Sequence, residues 1–157
     1  MSPHRVLQPD GWAAPRGYAN GVAVSPSPGG TQVFVAGQIG WNAQCQFDSD
    51  DLVDQLRQAL LNVRAVLAEA GATPEHIVRM TWYVTDRSEY LSRGRDIGRV
   101  YRELVGSYAV AMSAVQVGAL MEHRAKVEIE VTAVVPPAAG PDQALPAASG
   151  TGLPPRP

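Results

Sequence analysis

The feature that most constrains the fold is a change of period. Between Asp50 and Ala70 the apolar residues Leu52, Leu56, Ala59, Leu60, Val63, Val66 and Leu67 recur at steps of three and four. That spacing lays one apolar face along a helix. Asp48, Ser49, Asp50 and Asp51 offer caps and negative charge at its positive end, and Gly71 stops it. Downstream the period drops to two. Val78, Met80, Trp82 and Val84 alternate with Arg79, Thr81 and Tyr83 over Ile77–Val84. Val127, Ile129 and Val131 likewise alternate with Glu128, Glu130 and Thr132. Such strands bury one face, and an amphipathic helix beside them must lie on that face, which predicts an α+β fold.

The remaining segments fit this scheme. Val22–Val24 and Gln32–Ile39 read as a hairpin around the turn-forming "SPSPGG", with a short strand near Val6. A second helix is expected in "RSEYLSRGRDIGRVYRELVG". Tyr90, Ile97, Tyr101 and Leu104 share one side, and Arg93, Arg95, Arg99 and Arg102 form a solvated face. Gly94 and Gly98 each weaken that helix by about 1 kcal/mol relative to alanine, so tertiary contacts are expected to hold it. "YAVAMSAVQV" reads as a fifth strand with Met112 at its centre. The order is β-β-β-α-β-α-β-β, with two helices on one face of the sheet. The other face, carrying Arg79, Tyr83 and Glu128, is half polar, which suits a covering subunit and clefts. Residues 1–136 form one expected domain, and 137–157 a Pro/Ala/Gly-rich tail with little to bury.

Charge and composition narrow the function. The 157 residues carry 13 basic and 15 acidic side chains, a net charge of −2. With no basic stripe, RNA is a poor candidate partner. No stretch reads as a signal peptide or a membrane span, and the single cysteine, Cys45, forms no intrachain disulfide, so the expected location is the cytoplasm. His4, His76 and His123 lack metal-ligand spacing, His76 reads as opening the strand after "TPE", and Cys45 has no local base to activate it.

"GYANGV", "VFVAGQIG", "QALLNVRAVLAEAGATPEHIVRMTWYVTD" and "KVEIEVTAV", in this order, resemble the RidA/YjgF family, historically labelled L-PSP endoribonuclease. The resemblance spans about residues 7–136. It implies a chorismate-mutase-like fold: a six-stranded sheet backed by two helices, three copies closing into a barrel with clefts between subunits. It also implies a small-molecule substrate, hydrolysis of enamines and imines to 2-keto acids and ammonia, and no metal or organic cofactor.

Carried over residue by residue, the resemblance makes Tyr18 the cleft tyrosine and Glu128 the glutamate of the last strand. Gly37 supplies a backbone N–H. The family's "SGQ" serine is Ala36. Its "P-A-R-S-C" stretch reads Val110-Ala111-Met112-Ser113-Ala114. The arginine that grips the substrate carboxylate is therefore Met112, and the cysteine is Ala114. An Arg–carboxylate pair is charge-assisted and worth about 1.5–3 kcal/mol, whereas methionine is a flexible apolar filler. The expectation is an enzyme with Glu128 and Tyr18 as catalytic groups for hydrolysis, tautomerisation or cyclisation, turned from small 2-imino acids toward less acidic, larger or more aromatic ligands. Arg124, in the loop before the last strand, and Arg79 are alternative carboxylate ligands. The second expectation is a non-catalytic, ligand-binding or chaperone-like trimer.

Overall fold

The computed structural model describes residues 4–14, 20–24, 29–107 and 110–137. The chain forms β1 (His4–Leu7), β2 (Gly21–Val24), β3 (Thr31–Ile39), α1 (Leu52–Ala68), a 3-10 turn (Pro74–His76), β4 (Ile77–Val84), α2 (Arg87–Ser92), α3 (Gly94–Leu104), β5 (Ala111–Gln116) and β6 (Val127–Val135). The strands make one six-stranded sheet in the order β1-β2-β3-β6-β4-β5. All neighbours are antiparallel except β4 and β5. The tail expected over 137–157 lies, beyond Pro137, outside the described residues.

α1 forms where the apolar spacing places it. Asp51 is its N-cap: the carboxylate accepts from Val53 N at 2.8 Å and Asp54 N at 3.2 Å. Two residues beyond its C-cap, Gly71 takes φ +66°, the left-handed conformation that glycine adopts without strain. Its buried face, led by Leu56, Leu60, Val63 and Leu67, packs on β3 and β6. Opposite it lie Val33, Met80, Trp82, Val127, Ile129 and Val131. At about 1.5–3 kcal/mol per large apolar side chain, this layer is the main source of stability.

The structure departs from the sequence pattern in three places. The segment expected to be one second helix is two, α2 and α3, broken at Arg93 (φ −99°, ψ 12°). There the Arg93 guanidinium turns back to Asp51 at 2.7 Å and to Asp96 at 3.4 Å. A cation at the break thus ties it to the cap of α1. Val78, expected on the buried side of β4, is exposed while Ile77 is buried, because the β4–β6 register slips between Ile77 and Arg79. His76 does not open the strand. It ends the 3-10 turn, its Nδ1 accepting from Thr73 N at 2.9 Å.

Two buried polar side chains on α1 fix the strand ends. Gln55 donates to the carbonyls of Ser49 (3.1 Å) and Arg124 (2.8 Å) and accepts from Lys126 N (2.8 Å). Asn62 donates to the carbonyls of Ile39 and Trp41. Gln55 pins the entry to β6, and Asn62 the exit of β3, to the same helix.

Replacing Asp51 with alanine removes the cap of α1 and the partner of Arg93. The partly exposed ion pair is worth little by itself, so the cap dominates. Urea unfolding should show Asp51→Ala losing about 1–2 kcal/mol, with most of it restored in Asp51→Asn. Equal losses in the two variants would show that the ion pair, not the cap, carries the effect.

Candidate functional site

Glu128 is reached by a fault in the sheet. β3 and β6 pair residue for residue from Thr31↔Val135 to Val35↔Val131 and resume at Gln38↔Ile129 and Ile39↔Glu128. Ala36 and Gly37 therefore form a bulge, which bends a strand and re-aims its neighbours. On its other side the Ala36 N–H donates to Asn20 O at 3.0 Å, one step beyond the Gly21↔Val35 pair of β2 and β3. The Glu128 side chain folds over Gly37 so closely that a Cβ there would lie 2.7 Å from Glu128 Cδ and 2.9 Å from Cγ. Only glycine leaves that seat open.

Val127 and Ile129 are fully buried under the helices, so Glu128 stands on the opposite, open face of the sheet. It is half-buried in a recess of about 330 Å³ with Gly37, Gln38, Trp41 and Met121. Burial raises its pKa above the ordinary glutamate value, and the neighbouring Glu130 charge adds to the rise. Glu130 itself accepts from Tyr83 Oη at 3.0 Å. Gln38, almost fully buried, donates to Ala36 O at 3.1 Å and braces the bulge.

Met112 lies elsewhere. β5 is an edge strand whose residues are all exposed in the single chain. Met112 is in register with the fully buried Met80, and Ala114 with Trp82, so both belong to the helix-facing side. Met112 closes one end of a recess of about 320 Å³ walled by Trp82, Tyr90, Ile97 and Tyr101. Trp82 meets Tyr90 edge-to-face and Tyr101 at a tilt, with centroids 6.4 and 6.0 Å apart.

The structure thus brings Ala36, Gly37 and Glu128 together on one face, and Met112 and Ala114 together on the other. Arg124 joins neither group. Its Nε donates to Asp50 at 2.9 Å and its Nη1 to Phe47 O at 3.1 Å, and the guanidinium lies 5.4 Å from the Phe47 ring centroid. Those contacts fasten the β5–β6 loop to the segment before α1. Arg79 lies on the open face in a third recess with Thr81, Tyr83 and Glu130. Tyr18 lies outside the described residues. Trp41 and Met121, which line the Glu128 recess, were not singled out by the sequence pattern, since neither belongs to a periodic face or motif, and Arg102, read as part of a solvated face, lines the Met112 recess. Among the described residues no cluster of His, Cys, Asp and Glu could hold a metal ion, and no helix is long and apolar enough to cross a membrane.

The family profile described as Endoribonuclease L-PSP matches residues 13–135. The chain belongs to this family, the Rid/YjgF proteins. TdcF of Escherichia coli, provisionally named a reactive intermediate deaminase, is 33% identical over 108 residues, which cover 67% of this chain and 80% of TdcF. A crystal structure of TdcF with bound serine matches with a TM-score of 0.68 at 27% identity, covering 83% of this chain and 98% of that one. The Rid family protein YyfA of Yersinia pestis gives a TM-score of 0.69 at 30% identity, covering 84% and 99%. A YjgF/YER057c/UK114 family member from Mycobacterium tuberculosis is 36% identical, with a TM-score of 0.60 over 76% and 87% of the two chains. The Rid fold is therefore shared along nearly the whole length of these proteins.

The raised pKa of Glu128 has a consequence for stability. Its charged form is disfavoured in the fold, so its cost is absent below the unfolded pKa and complete once pH has passed the folded one. Glu128→Gln should therefore raise Tm relative to the parent at pH 7 and lose that advantage near pH 3.5. A Tm difference independent of pH would rule out the burial effect. Gly37→Ala should expel the carboxyl and return its NMR titration toward the ordinary glutamate range.

Proposed function

We propose that this Rid-family protein is a small-molecule enzyme that hydrolyses imines, enamines or related reactive intermediates in clefts between the subunits of a homotrimer, without metal or organic cofactor. The observation that carries this reading is Glu128 seated on Gly37, half-buried, with its pKa raised. A carboxylate in that state exchanges protons near neutral pH more readily than an exposed one. Residues 1–136 are the catalytic domain in this reading, and the cytoplasm its site of action.

The proton inventory is simple. Glu128 takes a proton from water as the water oxygen bonds to the imine carbon and passes it to the imine nitrogen, giving a neutral tetrahedral carbinolamine. Glu128 then takes the carbinolamine hydroxyl proton and delivers it to the nitrogen as the C–N bond breaks, so that ammonia leaves and the carbonyl forms. The Gly37 N–H, in a bulge whose other N–H is taken by Asn20, is the donor assigned to the developing oxyanion. Tyr18 orients the ligand.

A trimer explains two features of the single chain. β5 is exposed along its length, and Glu128 and Met112 sit on opposite faces of the sheet. A cleft can unite them only by drawing one from each of two neighbouring subunits. Exposed Phe34, Val115 and Val134 give the covering copy apolar surface to bury. Met112, where the family's arginine would stand, shifts specificity away from small 2-imino acids. The same loss is the ground for the second reading, a trimer that binds without turnover.

The test follows ammonia release from freshly generated imines, 2-iminopropionate among them. Glu128→Gln should lower kcat at least 10²-fold, in the range general acid–base catalysis supplies. Met112→Arg should raise kcat/KM for 2-iminopropionate by 10-fold or more, as a regained charge-assisted pair implies. Turnover indifferent to Glu128→Gln, or a monomer in light scattering, would remove the mechanism. Binding without ammonia release from any imine would leave the second reading.

A further inference from the structure

Gly98 weakens α3 from within and Gly94 begins it, and packing accounts for neither. A Cβ on Gly94 would meet nothing within 4 Å, and one on Gly98 would meet only Arg102 Nη1, at 3.3 Å. Neither glycine lets two elements approach closely, and neither takes a positive φ. What they share is a place: both line the Met112 recess. Their effect is to hollow it, widening the space between the helix and the edge strand at a cost in helix stability.

The same recess has an unclaimed cation. Arg93 and Arg99, on the same segment, pair with Asp51 and Asp96. Arg102 has no acidic partner among the described residues. Its guanidinium folds back one turn over bare Gly98 and lines the recess that Met112 closes. The sequence pattern placed Arg102 on a solvated face, but the missing side chain at position 98 gives it this path. An aromatic-walled hollow with a planar cation at its edge is complementary to an amphipathic anion.

We propose that Arg102 is the carboxylate anchor of this protein, and that the recess takes the aryl or branched apolar side chain of an organic acid. The substrate class is then 2-imino acids, or related acids, with bulky apolar side chains. Arg102 grips the carboxylate from the helix, and Met112 packs on the side chain. This rests on the reading above that the recess opens into the cleft served by a neighbouring Glu128. The volume of about 320 Å³ is at the lower end of small-molecule sites and suits a ligand of one aromatic ring.

The test is titration calorimetry of the full chain with phenylpyruvate, pyruvate and uncharged 2-phenylethanol. Phenylpyruvate should bind at least tenfold tighter than pyruvate. Arg102→Met should weaken phenylpyruvate at least tenfold and leave 2-phenylethanol unchanged. Gly98→Leu should abolish binding of both aromatic probes by filling the hollow, while its circular dichroism and Tm stay at or above those of the parent. Equal affinities for the two keto acids would overturn the proposal, as would an Arg102→Met variant that binds phenylpyruvate normally or loses both aromatic probes alike. Glu128→Gln separates the two levels. If it abolishes turnover while Arg102→Met keeps full phenylpyruvate affinity, the anchor is wrong and the hydrolytic reading stands. If Arg102→Met alone impairs binding and Glu128→Gln turns over normally, the anchor stands and the catalytic role of Glu128 falls.

Discussion

Everything at the open face depends on two residues of β3 that have no partner in β6. The bulge at Ala36-Gly37 lets the ladder resume one step out of phase and brings Glu128 over the backbone of Gly37. A regular ladder would leave Glu128 an ordinary exposed glutamate of an amphipathic strand. The helix beneath keeps the fault in place. Gln55 and Asn62 spend their amide hydrogen bonds on the strand ends on either side of it. Buried amides with satisfied partners are rigid, and that frame holds the bulge and the Glu128 seat in one geometry.

The helix side shows a different economy. The edge strand presents the uncharged Met112, and among the described residues Arg102, on the neighbouring helix, has no acidic partner. Its path is cleared by glycines that the helix would be more stable without. Arg102 and Gly98 lie four residues apart on α3, so the guanidinium and the gap it crosses are set by one turn of one helix. Specificity at such a site depends on helix surface rather than on strand register, and helix surface changes one residue at a time without disturbing a ladder.

Much of the frame was legible because it is periodic. β4 runs Ile77–Val84 as its alternation predicts, and α1 begins within two residues of its expected start. What escaped was aperiodic and long-range. The break at Arg93 depends on Asp51, which is distant in sequence, and the turning-out of Val78 depends on a register slip against β6. The closeness of Gly37 and Glu128 was implied by family resemblance alone. No spacing in one strand reports a bulge relative to another. Arg102 looked like any member of an arginine-rich face, because sequence shows which side of a helix a residue occupies but not where a long side chain lies down. Arg124 shows the converse: a loop arginine that seemed free for a ligand is consumed by Asp50 and Phe47.

The position of β6 carries a cost in time. It is the sixth strand along the chain and lies third from one edge and fourth from the other, between β3 and β4. Thr31 pairs with Val135, so the central ladder closes a loop of most of the domain. During synthesis, the first hairpin and α1 are made long before the strand that joins them to β4. Until Val135 has left the ribosome, the apolar face of α1 has only half its floor. Such a chain completes its core late, and until then Leu56, Leu60 and Leu67, buried in the finished fold, are open to contact with other chains.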